Sequence, residues 1–119
     1  MSGGKPTILI VDDDPQLQKM LSEVLTLEGY PIEVAGNGKI AIDYLEQDPQ
    51  ETRVMLLDLM MPILDGYAVL RWMSEHPDTR GKTKIVIMSA NERLGTVSDE
   101  QVEAKLAKPF GVDNLLKLL

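Results

Sequence analysis

Thr7-Ile8-Leu9-Ile10-Val11-Asp12-Asp13-Asp14-Pro15 is the stretch on which the reading of the fold turns. Its first five residues are apolar or β-branched with no polar alternation, the pattern of a strand buried on both faces. The polarity then changes abruptly to three carboxylates. Asp14 is a good helix N-cap, and Pro15 suits the first helical position, where its missing amide hydrogen costs nothing. Leu17, Met20, Leu21, Val24 and Leu25 recur at helical spacing over 15–27, and Gly29 supplies the stop.

The same alternation continues outward. Residues 32–35 form a short second run, Gly36-Asn37-Gly38 a turn, and 39–47 a second helix with Ile40, Ala41, Tyr44 and Leu45 on one face. Residues 54–57 are wholly apolar, Pro62 and Gly66 punctuate the loop that follows, 67–76 reads as a third helix and 84–88 as a fourth strand. Residues 91–104 hold few apolar side chains and several weak helix formers, which predicts a short or partly disordered helix. Leu106-Ala107 belongs to a brief fifth strand, and 112–119 begins a last helix with Val112, Leu115, Leu116 and Leu119 on its apolar side. Apolar strands alternating with amphipathic helices predict an α/β domain whose parallel sheet is covered on both faces. The expected organisation is a single domain over 1–119, with 1–5 disordered and the last helix cut short.

Composition narrows the function. A net charge of -7 without a Lys/Arg cluster repels a phosphate backbone, so direct nucleic acid binding by this segment is not expected. No cysteine is present, which removes disulfides, thiolate metal sites and a Cys nucleophile. No apolar run approaches the roughly 20 residues of a membrane span, and the start lacks a signal-peptide core. A cytoplasmic protein without membrane attachment is expected.

In an open parallel sheet, ligands bind at the carboxyl ends of the strands. The residues that close each apolar run are Asp12-Asp13-Asp14, Asp58, Ser89 and Lys108. Right-handed crossovers put these ends along one edge, so carboxylates, a hydroxyl and an ammonium converge. Two like charges about 4 Å apart repel by roughly 4 kcal/mol at an effective dielectric near 20. A cation must relieve this, and an all-oxygen set with room for water suits Mg²⁺. Such a site stabilises a transferring phosphoryl group, with a carboxylate as nucleophile. Asp58, a lone carboxylate after a stiff central strand, is the candidate.

Taken together, Asp12-Asp13, Asp58-Leu59-Met60-Met61-Pro62 with Asp65-Gly66, Ser89-Ala90 and Lys108-Pro109-Phe110 resemble the motifs of two-component response-regulator receiver domains (CheY-like). The resemblance covers nearly the whole chain. It implies a flavodoxin-like, doubly wound, five-stranded parallel sheet in the order 2-1-3-4-5. It further implies phosphorylation of Asp58, with Mg²⁺ (or Mn²⁺) held directly by Asp13, Asp58 and the Met60 backbone carbonyl, and by Asp12 through water. Ser89 and Lys108 would hold the phosphoryl oxygens, and the Lys108–Pro109 bond would be cis. The implied partners are a sensor histidine kinase or phosphotransfer protein, or a small phosphodonor such as acetyl phosphate, and a downstream protein. The domain would assist its own phosphorylation and dephosphorylation without being a turnover enzyme.

Three departures bear on output. Lys105 stands three positions before Lys108, where the family usually has an aromatic residue that reports phosphorylation. The stretch from Ser89 to Lys108 is shorter than usual, so the fourth helix of the family should be shortened or remodelled. Met60 and Asn91 occupy the positions that tune hydrolysis, and Met60 cannot orient water, which predicts a long-lived phosphoryl state. The alternative is a pseudo-receiver that signals by contact alone. A phosphate-ester hydrolase is disfavoured because position 60 is Met, not the second Asp of an Asp-x-Asp pair. Read singly, the Asp triplet is also a solvated helix cap, Lys108 a loop charge and His76 a polar helix terminus.

Overall fold

The computed structural model describes residues 4–119. Strands β1 (Thr7–Val11), β2 (Ile32–Ala35), β3 (Arg53–Asp58), β4 (Thr83–Ala90) and β5 (Ala104–Lys108) form one parallel sheet in the order β2-β1-β3-β4-β5, as expected. Between them run α1 (Pro15–Leu27), α2 (Gly38–Gln47), α3 (Gly66–Ser74), α4 (Pro77–Gly81) and α5 (Asn91–Leu94), and α6 (Val112–Leu116) follows β5.

Strand side chains alternate between the two faces, which explains the unbroken apolar runs. Leu9, Val11, Met55, Leu57, Ile85 and Ile87 pack with Ala41, Leu45, Val69 and Met73 of α2 and α3. Ile8, Ile10, Val54, Leu56, Val86 and Met88 pack on the other face with Leu21 and Leu25 of α1 and Leu115 of α6. α1 is capped by Asp14, whose Oδ1 accepts from Gln16 N at 2.9 Å, and it ends as Gly29 takes a φ of 93°. Asn37 caps α2 by accepting from Ile40 N at 3.0 Å, so the expected turn is also a helix start.

The structure corrects several boundaries. The helix expected over 67–76 stops at Ser74, and α4 begins anew at Pro77, because the residue before a proline is driven out of the helical region. His76, at φ -130° and ψ 71°, is that residue; its ring stacks on Trp72 at 3.7 Å and its Nδ1 donates to the Trp72 carbonyl at 2.7 Å. β4 runs two residues beyond 88, so Ser89 lies within the strand, paired with Ala107. β5 is longer than Leu106-Ala107, and the last helix ends at Leu116. Of the start expected to be disordered, residues 1–3 lie outside the described residues, whereas Lys5 Nζ donates to the Glu28 carbonyl at 2.7 Å.

The β4–β5 connection is a short helix followed by turns. Side chains tie it down. Val97 and Val102 are buried against the α2–α3 side of the sheet, and Arg80 donates to the Gln101 carbonyl at 2.9 Å and to Glu103 at 3.0 Å. Lys105 donates to the Val97 carbonyl and pairs with Asp99 at 2.8 Å. Tyr67 of α3 and Thr96 share a hydrogen bond between hydroxyls at 2.6 Å.

Candidate phosphoacceptor site

β1 and β3 are neighbours in the sheet, with Val11 in register with Leu57, so both strands deliver their terminal carboxylates to one edge. Asp12 is fully buried, Asp58 nearly so, and Asp13 is exposed. Each offers a carboxylate oxygen within 4.8 Å of the other two. β5 brings Lys108 to the same place: its Nζ is 2.6 Å from Asp12 Oδ2 and 3.6 Å from Asp58 Oδ2. Ser89 is buried at the end of β4, one position after Met88, the register partner of Asp58. Met60 is half exposed beside the cluster, and its amide donates to Asp58 Oδ1 at 3.4 Å. All the site residues expected from the sequence therefore lie along one edge, and the four charged ones meet.

The electrostatics follow from this crowding. Burial and the neighbouring Asp12 raise the pKa of Asp58 above the usual carboxylate value, opposed by Lys108 and the Met60 amide. For Lys108, burial opposes the charge, but the hydrogen bond and charge of Asp12, together with Asp58, outweigh it and raise the pKa. Three carboxylates face one ammonium. That uncompensated, all-oxygen set is the donor chemistry of a hard divalent cation.

The loop after Asp58 is shaped by close backbone approaches. Gly66 N donates to the Leu59 carbonyl at 2.9 Å, and a Cβ on Gly66 would fall 2.3 Å from the Asp58 carbonyl oxygen. Only glycine fits there. Leu64 N donates to the Pro62 carbonyl at 2.8 Å around Ile63, whose φ is 70°, a strained γ-turn for a β-branched residue. Gly38 N donates to the Leu64 carbonyl at 2.8 Å, holding the far side of the loop to the start of α2. The Lys108–Pro109 peptide is cis, as expected. Sequence reasoning missed Gln18, whose Nε2 donates to the Asp12 carbonyl. Its place in the first turns of α1 was the only signal.

Comparison with known proteins agrees with this geometry. The family model for the response regulator receiver domain matches residues 8–119. Among curated proteins, the chain is 34% identical over 113 residues to the response regulator MprA of Mycolicibacterium vanbaalenii, covering 92% of this chain and 46% of that protein. It is 32% identical to the 3',5'-cyclic-nucleotide phosphodiesterase regA of Dictyostelium discoideum, covering 98% of this chain and 14% of that one. Among solved structures, a CheY-like receiver domain protein of Methanospirillum hungatei has a TM-score of 0.79 at 28% identity, covering 94% of this chain and 89% of that chain. The response regulator TrrA of Thermotoga maritima, solved in complex with Mg²⁺-BeF, has a TM-score of 0.78 at 28% identity, covering 97% of this chain and all of that one. The chain belongs to the response regulator receiver domain family. It spans about half the length of the response regulator MprA.

Proposed function

We propose that this chain is the phosphoacceptor domain of a two-component phosphorelay, phosphorylated on Asp58 in a reaction that requires a divalent cation. The observation that carries the reading is the convergence of Asp12, Asp13 and Asp58 within 4.8 Å, with Lys108 against two of them. Asp13, Asp58 and the Met60 carbonyl would hold Mg²⁺ or Mn²⁺ directly and Asp12 through water; the ion supplies charge neutralisation for the phosphoryl oxygens. Burial and Asp12 raise the pKa of Asp58 in the metal-free site, and a bound ion would oppose that shift and hold the side chain as the carboxylate nucleophile. In transfer, an Asp58 oxygen bonds to phosphorus while the bond to the donor's leaving group breaks, that group keeping the electron pair. Lys108 and Ser89 would hold the phosphoryl oxygens.

The phosphodonor would be a sensor histidine kinase, a phosphotransfer protein or a small acyl phosphate, which places the chain in the cytoplasm. Among the described residues no helix is long and apolar enough to cross a membrane. The net charge of -7 favours a protein over a nucleic acid as the partner. The domain modifies its own side chain and turns over no free substrate. Incubation with acetyl phosphate and Mg²⁺, followed by intact-mass measurement, tests this: a phosphoryl mass gain lost in Asp58→Asn is expected. An unchanged mass would favour the contact-only scaffold, and continuing release of phosphate at an undiminished rate in Asp58→Asn would favour a hydrolase.

A further inference from the structure

The Asp13 carboxylate is exposed, so its position depends on its backbone rather than on enclosing side chains. That backbone is tied at several points. Asp12 N donates to the Ala35 carbonyl at 3.1 Å, Asp14 N to Asp12 Oδ1 at 2.9 Å, and Gln18 N to the Asp14 carbonyl at 3.0 Å. These bonds hold the residues on either side of Asp13 and none reaches the carbonyl of the peptide that joins Asp12 to Asp13; the side-chain Nε2 of Gln18 donates to it. The same amide lies beside the turn after β2, where a Cβ on Gly36 would stand 3.7 Å from Nε2. Gln18 thus reaches from α1 to fix the plane of that one peptide.

We propose that Gln18 is a positioning residue for the divalent cation: by gripping the Asp12–Asp13 peptide it keeps the Asp13 carboxylate directed toward Asp12 and Asp58 against their mutual repulsion. This rests on the cation site proposed above. A neutral donor suits the task, since it adds no positive charge close to the carboxylates that would hold the ion. Loss of one hydrogen bond to a backbone carbonyl predicts Mg²⁺ binding roughly three- to tenfold weaker.

The test titrates the full chain calorimetrically with MgCl₂ as wild type, Gln18→Met, which keeps length and bulk without a donor, and Gln18→Ala. The metal-free melting temperature of each is recorded alongside. Weaker Mg²⁺ binding by that factor in both variants is expected, with half-saturating Mg²⁺ for acetyl phosphate labelling raised equally and the labelling rate at saturating Mg²⁺ little changed. Mg²⁺ affinity unchanged from wild type in the folded variants overturns the inference, whatever happens to the melting temperature, because a purely structural bond would move only the latter. A variant too unstable to titrate as wild type does is judged by labelling at low temperature, where an unchanged half-saturating Mg²⁺ again overturns it. Absence of Mg²⁺ binding in the wild type would instead sink the cation site itself.

Discussion

Lys108 Nζ lies 2.6 Å from Asp12, a fully buried carboxylate 96 positions earlier in the chain, and 3.6 Å from Asp58. One ammonium therefore bridges the last strand of the sheet to the carboxyl ends of β1 and β3. It leaves part of the acidic charge uncompensated, and the behaviour of the site follows from that imbalance.

Asp58 should make the metal-free protein pH-sensitive. Its folded pKa is raised above the ordinary 3.8, so between those two values the folded state holds the extra proton. Stability from this group is present at low pH and is lost as pH rises through the folded value. Asp58→Asn is expected to melt higher than wild type at neutral pH without metal and to flatten this part of the pH dependence. Mg²⁺ at a hundredfold excess over its Kd should stabilise the wild type by about 2.7 kcal/mol. Thermal melts across pH, with and without Mg²⁺, check both; a lower melting Asp58→Asn would contradict the account.

Removing Lys108 strands the buried Asp12 carboxylate. Lys108→Met is expected to destabilise the fold by about 2–4 kcal/mol, reduced from the fully buried case because the lysine side chain is 28% exposed. Asp12→Asn in the same chain should restore much of the loss. The raised Lys108 pKa means its contribution is complete below 10.5 and fades as pH rises through the higher folded value. Urea denaturation of the single and double variants measures the coupling; additive losses would show that the pair is not coupled.

Glycine is required at position 66 and not at 95. A Cβ at Gly66 meets backbone at 2.3 Å, whereas one at Gly95 meets nothing within 4 Å. Gly66→Ala should cost roughly 3 kcal/mol and displace the loop that carries Met60. Gly95→Ala should stay within about 0.5 kcal/mol of wild type. Equal denaturation midpoints for the two variants would refute the close approach.

Met60, half exposed beside Asp58, offers no group to orient an attacking water. Met60→Asn is expected to shorten the lifetime of the phosphorylated form by about tenfold, since a polar amide can hold water near the phosphorus. Decay followed by intact mass decides it, and equal half-lives would remove Met60 from the control of hydrolysis.

Most of the fold was legible because its signals are local. The strand Thr7–Val11, the helix Pro15–Leu27 and the strand Ile32–Ala35 begin and end where apolar runs, Asp14, Pro15 and Gly29 say they should. The third helix was expected to stop before Pro77 and overran the observed end by two residues, while α4 was missed because Pro77–Gly81 carries no apolar period. Asp12, Asp13, Asp58 and Lys108 were legible as a site because each closes an apolar run, and a parallel sheet sends all such ends to one edge.

Side-chain ties across the fold were not legible. Arg80 reaching Gln101 and Glu103, Lys105 holding Val97 and Asp99, and Gln18 gripping Asp12 are long-side-chain contacts with no periodic trace. The sequence by itself determined the layered α/β architecture and the chemical groups at its carboxyl edge, since periodicity and strand ends are local properties of the chain. Tertiary structure alone decided which carboxylate Lys108 touches, how the β4–β5 connection folds and what fixes the Asp13 backbone, because those depend on distances between residues that only packing brings together.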